Sequence, residues 1–185
     1  RRLARMFDPR ELAALLRMAE RGINAPLTTS VGRLFDAVAA LAGVRERASF
    51  EGQAAMELEY AIGGRPQAQG AYPIALKGAS PIVGDWAPLI EALLEDLERR
   101  VAPALISARF HNALVRFALE VARRVGCRQV VLGGGCFQNA YLALRLRAGL
   151  IAAGCEVFCP RLVPPNDAAI ALGQILVARH LMEKL

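Results

Sequence analysis

The stretch VVLGGGCFQN, residues 130–139, decides the fold that we expect for this chain. It reads as a buried strand that runs into three glycines and then into the start of a helix. Glycines at such a junction let a ligand approach the backbone, and N–H groups at a helix start favour anions such as phosphate. Asn139 can also bond to a base or sugar. The alternative is a tight turn in which Asn139 only caps the helix, and the glycines alone favour that alternative because they match no standard phosphate-binding motif.

Strand and helix patterns alternate around this turn in the last third of the chain. We predict a strand over RQVVLGG, a helix over NAYLALRLRAGLIAAG, a strand over CEVFCP and a helix over AAIALGQILVARHLMEKL. Such alternation favours an α/β domain whose ligands bind at the strand ends. The loop PPND, residues 164–167, lies in such a position. Asp167 can bind a metal or a metal-bound phosphate there, although capping of the last helix is the commoner role.

The first two thirds of the chain are mainly helical in pattern. Capping side chains such as Ser30 and glycine stops such as Gly43 mark the helix ends. A break is expected at Pro103, because proline interrupts a helix interior. We predict helices over residues 9–21, 31–44, 50–64, 86–101 and 106–126, with one or two short strands within residues 66–83.

The composition indicates a stably folded protein. A chain of 185 residues with 55% apolar content can bury a sizeable core, in one compact domain or two small lobes. The formal charge of +6 comes from 21 arginines and two lysines that are scattered along the chain, which argues against a nucleic-acid surface. The positive charge still favours an anionic ligand or an acidic partner.

No apolar run reaches the length of a membrane span and the first residues lack a signal peptide, so we expect a cytoplasmic protein.

The cysteines and histidines suggest no catalytic or metal centre. The four cysteines are expected to be reduced and mostly buried. Cys155 and Cys159 have a spacing that can supply two metal ligands, but no second pair completes the set. His111 is predicted to be a satisfied helix residue, because neither histidine has a carboxylate or cysteine at ligand spacing.

The segment GRLFD, residues 32–36, places a carboxylate in a helix that is apolar on nearly every side. A helix of that kind is buried, so Asp36 needs a partner. That partner is either Arg33, three residues earlier, or the hydroxyls of a ribose, with Gly32 clearing space for the sugar. A polar set on the next helix is expected to be mostly solvated: Glu51, Gln53, Glu57 and Glu59.

Five segments together resemble the C-terminal part of HypF proteins, and the resemblance covers nearly the whole chain. In chain order they are TTSVGRLFDAVAALAGV, SFEGQAAMELE, RFHNAL, VVLGGGCFQN and PPNDAAIALGQ. The resemblance implies an α/β fold, namely the C-terminal lobe of an actin-like, sugar-kinase-like ATP-binding domain that is helix-rich with a mixed sheet. It also implies a helical part over residues 1–84 and a nucleotide-binding part over residues 85–185.

HypF proteins are carbamoyltransferases of hydrogenase maturation. In this family a carbamoyl-adenylate is made from carbamoyl phosphate and ATP, and the carbamoyl group then passes to the C-terminal cysteine of HypE. That group becomes the cyanide ligand of nickel-iron hydrogenases. The resemblance therefore implies ATP and a divalent metal (iron, zinc or magnesium) as cofactors, and a HypE-type acceptor and the upstream HypF domains as partners. The chain begins without methionine, so we expect a piece of a longer polypeptide that catalyses little alone.

The resemblance also assigns roles to individual positions. Asp167 matches a metal-ligating aspartate whose two histidine partners belong to the upstream half of the domain. The positions that match nucleotide-binding segments are Gly32 and Asp36, near the ribose, and Gly134, Gly135 and Asn139.

The sequence departs from the family pattern at two places. Ala168 and Ala169 stand where the family usually has two glycines, and added methyl groups disfavour positive φ and close ligand approach. Cys136 and Gly133 replace a usual valine and a common serine, which are milder changes. Two alternatives stay open: an O-carbamoyltransferase of small-metabolite biosynthesis, and a non-catalytic nucleotide- or partner-binding remnant of the same fold.

Overall fold

The computed structural model of the chain describes residues 7–63 and 70–184, which form seven α-helices and four short strands. The helices are α1 (Pro9–Glu20), α2 (Val31–Ala42), α3 (Gln53–Tyr60), α4 (Ala87–Glu98), α5 (Pro103–Val125), α6 (Ala140–Ala152) and α7 (Ile170–Met182). The strands are β1 (Ala75–Lys77), β2 (Val83–Asp85), β3 (Gln129–Val131) and β4 (Glu156–Phe158), and 3₁₀ turns cover Gly135–Gln138 and Asp167–Ala169.

The helix ends follow the capping residues, so the predicted helices are confirmed. The Asp8 carboxylate accepts a hydrogen bond from Arg10 N at 2.8 Å and caps α1. Ser30 caps α2 in the same way, and Gly43 ends that helix at a φ of 71°. The break predicted at Pro103 is confirmed, because α4 ends at Glu98 and α5 begins at Pro103. Proline is tolerated there because N–H groups in the first turn of a helix have no partner within the helix.

The strands form two separate sheets, one antiparallel and one parallel. β1 pairs with β2 in the antiparallel sense, and β3 pairs with β4 in the parallel sense, with Val130 opposite Val157. The segment β3–α6–β4 is therefore a parallel strand pair with a helical connection. Its strand ends carry the glycine turn and the PPND loop, as the alternating pattern predicted.

The core forms around α5, which packs against α2, α3, α4 and α6. Helices α5 and α6 pack closely, because a methyl group added at Gly149 would come within 2.9 Å of the Leu119 side chain. Buried residues run from Phe35 to Leu150 and form one cluster. The predicted division between residues 84 and 85 stays a prediction, and the core contains residues from both sides of it.

Helix α7 is apolar yet has no buried residue. The large apolar side chains that it exposes are Ile170, Leu172, Ile175, Leu176, Val177, Leu181 and Met182. An exposed apolar face of this extent marks a contact surface. No helix within residues 7–63 and 70–184 combines the length and hydropathy that a membrane span requires.

The prediction of mostly buried cysteines is wrong. All four thiols are free, but Cys127 and Cys159 are exposed, and Cys136 and Cys155 are half-buried. The exposed pair flanks the two short strands of the parallel sheet, where the chain enters β3 and leaves β4. Val131 and Phe158 at the ends of these strands are exposed too, so this part of the sheet lacks a covering layer within the described residues.

Because α6 is buried on one face and α7 is exposed, substitutions in the two helices should differ in their effect on the free energy of unfolding. Leu146→Ala in α6 removes a side chain that is only 3% exposed, so we expect a loss of about 2–4 kcal/mol in the free energy of unfolding. Leu176→Ala in α7 removes one that is 58% exposed, and we expect a loss of at most about 0.5 kcal/mol. Urea unfolding of the two variants measures both values. Equal losses would mean that α7 packs on the core.

Candidate functional site

The glycine turn leads from β3 to α6 and faces open space. Leu132 N donates to Phe158 O at 2.9 Å, and the chain then leaves the sheet. Gly134 has a φ of 102°, which only glycine adopts without strain. A methyl group added at Gly133, Gly134 or Gly135 would meet no atom within 4 Å. The turn therefore leaves room for a ligand to approach its backbone.

The PPND loop lies against this turn. Gly134 N donates to Pro165 O at 2.6 Å, which joins the two strand ends. Asn166, not Asp167, caps the following 3₁₀ turn, because its side chain accepts from Ala168 N at 3.2 Å. The capping role considered for Asp167 is thus wrong, and its carboxylate is exposed and available. Ala168 is not in the positive-φ region and Ala169 has a φ of −89°, so neither methyl group strains the loop.

The start of α6 is occupied by side chains of the protein itself. Asn139 Oδ1 accepts from Leu142 N at 2.8 Å, and Glu59 Oε1 accepts from Tyr141 N at 3.0 Å. Ala143 N donates to the Asn139 carbonyl at 3.0 Å. Tyr141 N and Leu142 N are therefore already bonded within the protein, and the anion site expected at this helix start stays a prediction.

Backbone donors without a partner among the described residues remain in the glycine turn itself. No hydrogen bond among the residues that the structure describes engages Gly135 N or Cys136 N. These groups lie on an exposed 3₁₀ turn that is separate from α6. Anion binding by this segment would therefore use the turn and not the helix end.

Asn139 is bound on its other side to His111. The two side chains meet at 2.8 Å between Asn139 Nδ2 and His111 Nε2, and both residues are buried. His111 Nδ1 lies 2.8 Å from the carbonyl oxygen of Ser107. Burial lowers the pKa of His111 to about 4, so the ring is neutral at pH 7. The prediction that His111 is a satisfied helix residue is confirmed.

A second cluster of candidate residues lines an open cleft of about 590 Å³ between α2 and the α2–α3 loop. Asp36 and Glu51 contribute carboxylates to this cleft, and Arg33 contributes a guanidinium. Gly32 lies beside the cleft in the first turn of α2 but does not line it. The lining residues are Ser30, Arg33, Asp36, Ala48, Ser49, Phe50, Glu51 and Gly52.

Asp36 is less buried than its helix pattern predicts. Its side chain is 34% exposed and pairs with Arg33 at 2.9 Å. The buried residues of α2 all lie on one face, so the helix is amphipathic and the prediction of a helix buried on all sides is wrong. An ion pair of this exposure contributes little to stability, and it leaves the carboxylate accessible from the cleft.

The loop that forms one wall of the cleft is held by α3. Arg45 donates through Nε and an Nη group to the two oxygens of Glu57. This bidentate contact raises the pKa of Arg45 and lowers the pKa of Glu57. Gln53 bonds both to Glu57 and to Ser49 N. The expectation that this polar set is mostly solvated is therefore wrong, because Gln53, Glu57 and Glu59 all have partners.

The cleft and the glycine turn are neighbours. Helix α2 contacts the 3₁₀ turn Gly135–Gln138. Phe35, which precedes Asp36, packs edge-on against His111 with ring centroids 5.2 Å apart. The two predicted groups of site residues thus lie on elements that contact each other. The sequence placed Glu51 and Glu59 in a mostly solvated set without a partner or a site role, and Glu59 lies 82 residues from its partner Tyr141 in the chain.

The described residues do not form a metal site by themselves. No group of three or more His, Cys, Asp or Glu side chains among residues 7–63 and 70–184 is placed to hold a metal ion. Asp167 presents one exposed carboxylate beside the glycine turn. Its role as a single metal ligand stays a prediction.

Comparison with known families gives a match over most of the chain. Residues 1–174 match the model of a family described as "Carbamoyltransferase, Kae1-like Domain, second subdomain". A relative from Synechocystis sp. named Carbamoyltransferase HypF is 43% identical over 164 residues, covering 88% of this chain and 21% of the relative. One from Rhodobacter capsulatus with the same name is 44% identical over 185 residues, covering 95% of this chain and 22% of the relative.

Two solved structures are similar in fold. A full-length HypF in a phosphate- and nucleotide-bound form gives a TM-score of 0.88 at 38% identity, covering 97% of this chain and 24% of that one. The HypF of T. kodakarensis gives a TM-score of 0.78 at 27% identity, covering 96% and 23%. The chain therefore spans less than a quarter of the length of these proteins.

The depressed pKa of His111 predicts a loss of stability in mild acid. The unfolded chain takes up a proton near pH 6.5, whereas the folded chain does so near pH 4, so stability is full above pH 6.5 and falls below it. Lowering the pH from 7 to 5 should cost about 2 kcal/mol of unfolding free energy through this group. Urea unfolding at both pH values measures the loss.

His111→Gln is the matched control for this measurement. The variant has no titrating ring, so its unfolding free energy should change much less between pH 7 and pH 5. The carboxylates with lowered pKa values, such as Glu120 at about 2, lose their contribution only at lower pH. The same loss in both proteins would exclude His111 as its source.

Proposed function

This chain belongs to the HypF family of carbamoyltransferases, and from that premise we propose that it holds the nucleotide of a HypF-type carbamoyl transfer reaction. The observation that carries the proposal is the contact between helix α2, which lines the cleft with Asp36, and the 3₁₀ turn, where Gly135 N and Cys136 N have no partner among the described residues. The phosphate- and nucleotide-bound state of a similar HypF structure supports the same assignment.

The charges of the two surfaces suggest the orientation in which the nucleotide would bind. Asp36 and Glu51 accept hydrogen bonds, which suits the hydroxyl groups of a ribose. The same carboxylates repel phosphates, so the phosphates belong at the glycine turn, where Gly135 N and Cys136 N can donate to them. The ribose would thus lie in the cleft and the phosphate chain would run along the turn.

The chemistry proposed for the site is acyl transfer from a carbamoyl-adenylate. The acceptor thiol would lose its proton and bond to the carbamoyl carbon, while the bond from that carbon to the phosphate oxygen breaks and AMP leaves. Backbone N–H groups that are fixed before the reaction stabilise the negative charge on the departing AMP without reorganisation. We propose the C-terminal cysteine of a HypE-type protein as the acceptor. Holding the adenylate is the part of the reaction that the described residues are equipped to do.

The partner proposed for the chain is the remainder of a HypF-type protein. Helix α7 supports this assignment because its apolar side chains are exposed all round, and such a helix is normally buried. The matched family is described as the second subdomain of its domain. A first subdomain that covers α7 would bury this surface and complete the site.

Replacing Asp36 should weaken ATP binding through the ribose hydroxyls. We expect Asp36→Asn to lower the affinity for ATP by about tenfold, because a hydrogen bond to a charged group contributes about 1.5–3 kcal/mol. The affinity for 2′,3′-dideoxy-ATP should not change, because that analogue has no hydroxyl for Asp36 to bind. Isothermal titration of both nucleotides onto the chain measures both affinities.

Glu98→Gln is the control for the loss of one carboxylate, because Glu98 is an exposed residue of α4 that does not line the cleft. It should bind both nucleotides like the unchanged chain. An equal loss of affinity for ATP and dideoxy-ATP in Asp36→Asn would contradict the ribose assignment. No saturable binding by the unchanged chain would instead favour a non-catalytic role.

A chimera tests the transfer reaction and the role of α7 together. This chain would replace the matching segment of the Synechocystis relative, with which it is 43% identical. With carbamoyl phosphate and ATP, the chimera should form a thiocarbamate on a peptide that ends in cysteine but no product on the same peptide ending in serine. Mass spectrometry of the two peptides checks this, and product on serine alone would favour an O-carbamoyltransferase.

Leu176→Glu in the same chimera tests the contact of α7. We expect it to lower the melting temperature of the chimera while leaving that of the isolated chain nearly unchanged, because only the chimera buries this residue. Calorimetry of the four proteins gives the comparison. No difference between chimera and isolated chain would mean that α7 contacts no upstream domain.

A further inference from the structure

The imidazole of His111 has a fixed proton position. Nδ1 lies 2.8 Å from the Ser107 carbonyl oxygen, which can only accept, so Nδ1 carries the hydrogen. The Ser107 hydroxyl donates to Leu58 O and cannot give its proton to the ring as well. The neutral ring therefore has its hydrogen on Nδ1 and its lone pair on Nε2.

That lone pair determines the orientation of the Asn139 amide. His111 Nε2 can only accept, so the group 2.8 Å away must be the Asn139 NH₂ group. The amide oxygen then points to Leu142 N, from which it accepts at 2.8 Å. A flipped amide would place two acceptors together at His111 and two donors together at Leu142. Both mismatched pairs would be buried, and each would lower the free energy of unfolding.

Asn139 is also the residue that joins the glycine turn to α6. Its backbone N–H donates to Cys136 O at 3.3 Å, which closes the 3₁₀ turn. Its carbonyl accepts from Ala143 N at 3.0 Å, within the first turn of α6. A displaced Asn139 would therefore move Gly135 and Cys136, the two residues whose N–H groups remain unused.

The ring itself is held in place from three directions. Phe35 of α2, Phe110 of α5 and Tyr141 of α6 all pack edge-on against it, with ring centroids 5.2, 5.6 and 5.5 Å away. His111 is fully buried and both of its nitrogens have partners. The ring has no room to rotate or to bind a ligand directly.

We propose that His111 is a positioning residue of the nucleotide site, which acts by orienting the amide of Asn139 and thereby fixing the N–H groups of the glycine turn. The nucleotide part of this inference rests on the proposed function. His111 touches no substrate in this arrangement. It determines how accurately the turn presents its donors to the phosphates.

The role predicts a selective loss of phosphate recognition. We expect His111→Gln and Asn139→Asp each to lower the ratio of ATP affinity to adenosine affinity by about tenfold, because adenosine lacks the phosphates that the turn would bind. Ile106→Val is the matched control, since Ile106 is a fully buried α5 residue outside this network. That variant should keep the ratio of the unchanged chain. Isothermal titration gives both affinities.

Nitrogen NMR of the histidine-labelled chain tests the orientation without any ligand. In the unchanged chain at pH 7, His111 should carry its single proton on Nδ1. In Asn139→Asp a carboxylate faces Nε2, so the ring should take a second proton there and become charged. A histidine that does not interact with Asn139 would not gain this second proton in Asn139→Asp.

The outcomes separate the two proposals. A proton on Nε2 in the unchanged chain, or an unchanged affinity ratio in folded His111→Gln, overturns the positioning role. Absence of saturable binding of both ligands by the unchanged chain overturns the proposed function and with it the nucleotide part of this inference. The expected NMR signatures together with a selective loss of ATP affinity support both. If Asn139→Asp fails to fold, the unchanged chain and His111→Gln still decide the question.

Discussion

The arrangement of this chain depends on one buried imidazole that must have a partner at each nitrogen. A polar ring in an apolar core costs several kcal/mol unless both nitrogens are bonded. His111 satisfies one nitrogen with the backbone of its own helix, which leaves the other to Asn139, 28 residues later. That requirement fixes how α5 and α6 pack. Because Ser107 also bonds to the end of α3, three helices share one connected set of hydrogen bonds.

A consequence of this network is that two N–H groups at the start of α6 are already bonded within the protein. The Asn139 amide accepts from Leu142 N, and the Glu59 carboxylate accepts from Tyr141 N. The positive end of the helix is therefore neutralised from within, and a phosphate there would meet the negative charge of Glu59. Backbone N–H groups that a ligand could bind lie just before the helix in the chain, in the 3₁₀ turn. The same three glycines thus present a backbone surface that faces away from the helix which follows them.

Sequence alone could predict the parts of this structure that depend on near neighbours. Asp8, Ser30 and Gly43 act on groups within a few residues, so the helix ends could be placed from local chemistry. The contacts that assemble the site join residues far apart in the chain. Arg45 and Glu57 are 12 residues apart and Glu59 and Tyr141 are 82 apart, and no periodicity or motif in one sequence pairs them. The segments of the site were therefore predictable, but the partners of His111 and Glu59 were not.

Two helices show why hydropathy alone does not give the burial of a helix. The pattern of α2 is apolar over most of its length, yet Asp36 lies at the edge of its buried face and remains a third exposed. The pattern of α7 is apolar as well, yet none of its residues is buried. Hydropathy reports how much apolar surface a helix carries and not which element covers it. Helix α2 finds its cover in α3 and α5, whereas the part of the chain that the structure describes offers α7 none. The burial of a helix is therefore a property of its neighbours, and a sequence reveals it only where those neighbours belong to the same chain.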